Sequence, residues 1–226
     1  MLGGVQFINA WMFLVLVEEF LSLQGRVVGE LGPVGVTDLV AVPMLRIAAL
    51  VLLFVAPLLT MRALAEERRS GTLPLLLTAP VSLSEIVLGK YLAVLALLLL
   101  SVLLTATMPA SLLAWTPLDL GKLAAGLLGL SLCAAAFAAA GLFTSSLTAQ
   151  PGVAAVAAMG LLSLFWLLDV GGGESAGALR HLSLSAHLDE LLRGVFASAD
   201  LVYFLGFVTA FLTLTVRRLD AERRFG

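Results

Sequence analysis

The sequence predicts an all-α, polytopic membrane bundle of six transmembrane helices, forming one domain over residues 1–226. Three observations lead there. Apolar residues make up 61% of the chain and charged ones only 12%, with a mean hydropathy of +1.09; a soluble domain carries about 45–50% and about 25%. Unpaired backbone groups are not tolerated in hydrocarbon, so spans are helices or a closed barrel, and uninterrupted apolar runs without period-two alternation choose helices. The runs also have the right length: at about 1.5 Å per residue, a hydrocarbon layer of about 30 Å needs roughly 20 residues, with about 17 as a lower limit.

The spans are expected at 5–21, 39–61, 91–113, 123–143, 152–168 and 201–216. The first is interrupted by Gln6 and Asn9 and closed by Glu18 and Glu19, and its start is expected to be shortened or divergent. A secretory signal peptide would need a positive n-region and a small-residue cleavage site, and neither precedes Glu18. The second span carries Arg46 near enough to one surface for its side chain to snorkel.

Between the second and third spans, residues 62–90 form the one long polar interruption with the makings of a surface helix. Thr72 is placed to cap a short helix, Pro74 fits its first turn, and Leu73, Leu75, Leu76 and Leu77 supply an apolar body. That helix should stop before Ala79-Pro80, because the residue preceding a proline is pushed out of the α region. Ser82-Leu83-Ser84-Glu85 then reads as a capping box that opens the next helix and carries it through Lys90 into the third span.

The fourth span is rich in small residues, 134–136 and 138–141, which suit close helix packing. It also holds Cys133, the single cysteine, so no internal disulfide forms. After the fifth span comes a Gly-rich turn and then an amphipathic helix over 185–198. Its Leu188, Leu191, Leu192, Val195 and Phe196 recur at i, i+3, i+4, i+7 and i+8, the pattern of a helix lying at the outer interface.

Six spans put both termini on one side. That side collects eight basic and five acidic residues, a net +3, while the other has five basic and ten acidic, a net −5. Lys and Arg concentrate on the cytoplasmic side of membrane proteins, so the termini and residues 62–90 are expected inside the cell.

The residues bear on several further chemistries. A Walker loop is absent: Gly89-Lys90 and Gly121-Lys122 are followed by Tyr91 and Leu123 and lack the earlier glycine that cradles phosphate. Residues 173–177 match Gly-x-Ser-x-Gly around Ser175, with Asp169, His181, His187 and Asp189 nearby, but a nucleophile elbow needs a strand-to-helix turn and this is a flexible loop after a span. His181 and His187 are six apart, on neither helical spacing for a shared ligand, and no metal set emerges. Gln6, Asn9, Arg46, Thr105, Thr107 and Ser131 are polar groups inside spans; such groups point to a transport path or simply bond their own helix. No catalytic residue is assigned.

The string MRALAEERRSGTLPLLLTAPVSLSEIVLGKYLA, residues 61–93, closely resembles the cytoplasmic segment of the permease subunits of type-two ABC exporters. Within these it is most similar to the group that includes gliding-motility and nitrous-oxide-reductase maturation permeases. GLFTSSLTAQ, 141–150, resembles the end of that family's fourth span and its following turn, and 182–224 its outer helix, short and partly re-entrant in that family, and last span; the likeness covers most of the chain after about residue 57. One departure is Pro74, where relatives usually carry an acidic residue.

The resemblance implies a bacterial or archaeal cell-membrane permease that works as a pair, a homodimer or with a related permease, bound to cytoplasmic ATPase subunits. It implies no cofactor in this chain, with ATP and Mg held by the partner, and export of a substrate that no residue here identifies. The helix around 71–78 would be the coupling helix seated on the ATPase. Glu66, Glu67, Arg68 and Arg69 would give polar contact and orientation, Gly71 and Thr72 the turn and cap, and Leu73, Leu75 and Leu76 the docking surface. The competing readings are a non-transporting membrane scaffold and an intramembrane serine hydrolase using Ser175.

Overall fold

The computed structural model describes residues 2–27, 35–72, 82–116, 118–168 and 180–225, the side chains of 23–27 and 224–225 excepted. The described residues hold helices and no strand. In chain order these are α1 (Leu2–Val27), a π-helical turn (Thr37–Ala41) that runs into α2 (Val42–Thr60), the short α3 (Ala65–Arg69), α4 (Leu83–Ser111), α5 (Leu120–Leu147), α6 (Pro151–Leu167), α7 (Leu184–Leu192) and α8 (Ser198–Phe225).

Helix α5 is the axis of the bundle, packed by α2, α4, α6, α7 and α8. Its small side chains are the cause: Ala134, Ala136, Ala138, Ala139 and Ala140 are fully buried around Phe137, so neighbouring backbones approach closely on every side. At Gly141 the approach is closest, since a Cβ there would fall 2.2 Å from the Thr60 hydroxyl of α2. By contrast α1 is peripheral, with Phe7, Trp11 and Leu14 more than 60% exposed to what is lipid in the membrane.

Five helices among the described residues are long and apolar enough to cross a membrane, beginning at Leu2, Thr37, Leu83, Leu120 and Ser198. The fifth expected span, at 152–168, corresponds to α6, which has 17 residues and so rises only about 25 Å against a hydrocarbon layer of about 30 Å. The hydroxyl of Ser185 donates to the Trp166 carbonyl at 2.8 Å and that of Ser183 reaches it at 3.5 Å, so the last turn of α6 is tied to the start of α7.

Helix α7 is shorter than the amphipathic helix expected over 185–198, and of the two readings, interfacial anchor or partly re-entrant helix, it is closer to the second. It starts at Leu184 and ends at Leu192, because Gly194 adopts φ +80° and turns the chain: Val195 N–H donates to the Glu190 carbonyl and Gly194 N–H to that of Leu191, a Schellman stop. Val195 and Phe196, expected on the packed face, are 55% and 60% exposed. The packed face is Leu184, Leu188, Leu191 and Leu192, all at 0–1% exposure. Its leucines rest on two glycines of α5, where added Cβ atoms would meet Leu188 at 3.0 Å (Gly129) and Leu192 at 3.1 Å (Gly126). These glycines lie about 9 and 14 Å along α5, so α7 dips into the bundle instead of lying on it.

Ion pairs close that end. Arg46 of α2 pairs with Asp189 of α7, which fixes a guanidinium that the sequence alone left to snorkel, and Lys122 pairs with Asp38 at 3.0 Å. His187 sits between Asp200 (2.6 Å) and the His181 carbonyl (3.0 Å) and stacks on Tyr203 with ring centroids 4.1 Å apart. The two histidines are thus joined to each other and to α8 by hydrogen bonds, and among the described residues no group of acidic, His and Cys side chains is arranged to hold a metal.

Candidate functional site

The segment singled out by sequence begins where α2 ends. After Thr60, whose hydroxyl returns to the Ala56 carbonyl, the chain turns through 61–64 and enters α3 with Leu64 and Ala65 buried. Their amides are at the start of a helix and have no partner in the preceding turn, a need that a nearby acceptor must meet. Ser145, near the end of α5, meets it. Its hydroxyl oxygen accepts from both Leu64 N–H and Ala65 N–H at 3.1 Å, and its proton goes to the Met61 carbonyl at 3.1 Å.

Two charge clusters complete the clamp. Lys90, one turn before the apolar body of α4, donates to the Ala63 carbonyl at 2.6 Å and to Glu67 Oε1 at 2.5 Å. Arg68 donates to the Ser146 carbonyl at 2.6 Å and pairs with Glu222 of α8 at 2.6 Å, and Arg218 approaches the same carboxylate at 3.3 Å. Glu67 and Arg68, expected to meet a partner, therefore spend their charge on α4, α5 and α8. Glu66 and Arg69 are the exposed pair.

Helix α3 ends in a second Schellman stop. Thr72 N–H donates to the Glu67 carbonyl at 3.0 Å and Gly71 N–H to that of Arg68, with Gly71 at φ +71°, a conformation that glycine adopts without cost. The Thr72 hydroxyl turns back to Ser70 and the Glu67 carbonyl, capping the helix behind it. Leu73, Leu75 and Leu76, and the expected coupling helix beyond Thr72, lie outside the described residues, as does Ser175 with its Gly-x-Ser-x-Gly surroundings.

On the far side the capping box forms as the sequence requires. Ser82 N–H donates to Glu85 Oε2 at 2.9 Å and Glu85 N–H to Ser82 Oγ at 3.3 Å. Hydrogen bonding of the carboxylate by Ser82, its N–H first and its hydroxyl next, holds the Glu85 carboxyl below its ordinary value.

The exposed surface this creates is wider than the sequence indicated. Arg68 and Arg69 face the turn between α5 and α6 across a polar cleft of about 550 Å³, whose other wall is Ala149, Gln150, Pro151 and Gly152. Sequence alone gives Ser145, Ser146, Lys90, Glu222 and Gln150 no role at this surface. One signal was available: two serines at the end of an otherwise apolar helix, just before a polar turn, are where a membrane helix has hydroxyls to spare for another chain segment.

The polar groups within spans divide in two. Gln6 and Asn9 of α1 meet Ser101 and Thr105 of α4: Gln6 Nε2 donates to Ser101 Oγ and carbonyl (3.0 and 2.9 Å) and Asn9 Nδ2 to Thr105 Oγ1 (3.1 Å). This is a polar seam between two helices that run side by side in the same direction. Thr107 and Ser131 instead bond carbonyls of their own helices.

The architecture is that of a multi-pass membrane protein whose polar connector is bolted to three of its spans. No curated protein matches the chain. A family model described as ABC-2 family transporter protein matches residues 34–172, from the start of α2 through the end of α6, which is more than half of the sequence. The chain therefore belongs to the ABC-2 transporter family, as a permease component of an ABC transporter.

Proposed function

We propose that this chain is the transmembrane half of an ATP-driven exporter, moved by a separate cytoplasmic ATPase that binds ATP and Mg. It has six spans, counting α6, with both termini in the cytoplasm of a bacterial or archaeal cell, and it works as a homodimer of the gliding-motility or nitrous-oxide-reductase maturation type. The observation that carries the reading is the clamp on α3. A connector that only linked two spans would need no internal anchoring; this one is tied by Ser145, Lys90 and Glu222 to α5, α4 and α8, so a push on the exposed residues around Gly71 is delivered to three helices together.

In this reading Glu66 and Arg69 orient the partner, Glu67 and Arg68 transmit its movement, and Leu73, Leu75 and Leu76 seat in its groove. Rim charges set register and association rate, whereas buried apolar anchors carry affinity. The chain itself performs no hydrolysis.

The test is affinity purification of the tagged chain from native membranes. Wild type is expected to bring an ABC ATPase with it, and Leu75→Asp to lose that partner while still inserting into the membrane. Unchanged copurification by Leu75→Asp would remove the coupling assignment, and labelling of Arg69→Cys from outside intact cells would invert the topology.

A further inference from the structure

Beside the clamp, on the lipid-facing flank of the same end, α4 and α8 diverge and leave a groove of about 450 Å³. Its floor is Val87, fully buried, and its walls are Leu88, Leu212 and Val216. Thr213 adds a methyl surface, because its hydroxyl is turned to the Thr209 and Ala210 carbonyls at 2.8 Å. Polar groups line one end only: Ser84 in the first turn of α4 and Arg217 in the closing turns of α8. That end is level with α3, since Lys90 and Glu222 reach α3 from the same two helices. The groove thus starts at headgroup depth and runs inward along the spans, Leu212 lying about 7.5 Å deeper than Arg217.

The charge at its mouth is unbalanced. Arg218, the next residue, shares the Glu222 carboxylate with Arg68, while Arg217 is exposed and makes no ion pair among the described residues. Among the described residues no carboxylate lines the groove. The nearest acidic side chain along α4, Glu85, is bound back to Ser82 N–H.

We propose that this groove is a binding site for an anionic phospholipid of the leaflet on the α3 side. The guanidinium of Arg217 holds the headgroup phosphate, Ser84 borders it, and the first part of an acyl chain lies along Val87, Leu88, Leu212 and Val216. A zwitterionic lipid would bring its own cation to a groove whose described lining residues include a guanidinium and no carboxylate, so a headgroup without a cation is preferred. Basic pockets between helices at the cytoplasmic surface suit such headgroups. The bound lipid would wedge α4 against α8 one turn from Lys90 and from Glu222, the residues that grip α3, and so set how stiffly that grip is held.

The experiment is native mass spectrometry on the full chain in its purified native assembly, titrated with dioleoyl phosphatidylglycerol, dioleoyl phosphatidylcholine or inorganic phosphate. Phosphatidylglycerol is expected to be retained over phosphatidylcholine, with inorganic phosphate failing to displace it. Arg217→Gln should weaken phosphatidylglycerol binding about fivefold, the effect of one arginine at an anionic headgroup. Val216→Trp should abolish retention by filling the groove, and Arg223→Gln, exposed at the same end but outside the groove, should leave it unchanged. Equal retention of the two lipids, or an equal loss in Arg223→Gln and Arg217→Gln, would overturn the site. So would a disulfide formed between two copies carrying Leu88→Cys in native membranes, which would place a second chain in the groove.

Discussion

Replacing Ser145 with alanine is the most direct test of the clamp. The side chain is fully buried, and its hydroxyl makes three bonds at 3.1 Å: two from amides at the head of α3 and one to the Met61 carbonyl. Ser145→Ala removes one small atom, leaves little cavity, and strands two buried N–H groups and a carbonyl. Each buried group left unpaired costs about 1–3 kcal/mol. Taking the lower figure for the two amides gives about 2 kcal/mol, or roughly 30-fold in a local equilibrium. The loss falls on opening of 61–69 rather than on the whole bundle, since α5 keeps its apolar packing. Hydrogen exchange in lipid nanodiscs reads it: the amides of Leu64 and Ala65 should exchange roughly 30-fold faster, while those of 130–140 hold their rates. Ser131→Ala is the control, because that hydroxyl serves only its own helix at Leu127. Identical exchange at 64–65 in Ser145→Ala and wild type would show that α3 is not held from α5.

Three further outcomes follow from the same geometry. Gly141→Ala places a Cβ 2.2 Å from the Thr60 hydroxyl and should destabilise the bundle by about 1–3 kcal/mol, seen as a lower Tm in detergent and partly recovered by adding Thr60→Ala. Gly71→Val puts a β-branched residue at φ +71°, a cost of about 1–2 kcal/mol or more that should loosen the exit from α3 in hydrogen exchange, whereas Gly71→Asn should be nearly neutral. The Glu85 carboxyl titrates below its ordinary value of 4.5, so its support of the first turn of α4 is complete above that pH and is lost as pH falls through the depressed value. Amides of 82–86 should therefore exchange independently of this group between pH 5 and 8 and fray only in more acidic solution, and Glu85→Gln should remove that acid-dependent step.

The fold was legible in sequence wherever the signal was local. Composition and run length gave helices, the Ser82 and Glu85 spacing gave the start of α4, and the small residues of 134–141 announced a closely packed helix. What escaped depends on contacts far apart in the chain. Nothing local says that Glu67 and Arg68 face Lys90 and Glu222 while Glu66 and Arg69 face outward, because on a single turn all of them are equally polar. The apolar period of 188–196 continued past the end of α7, since periodicity does not register a backbone reversal at Gly194. Arg46 was legible as a charge near a surface, but its carboxylate partner stands 143 positions away.

The axis helix also acts as a ruler. Gly129, which seats α7, and Ser145, which holds the head of α3, are sixteen residues apart on one unbroken α5, a fixed separation of about 24 Å. Deleting a single residue between them would shorten that distance by about 1.5 Å and rotate one end by about 100° against the other, so the two fittings could no longer engage at once. Substitutions between them leave that separation untouched, so the spacing itself is the quantity the molecule has to preserve.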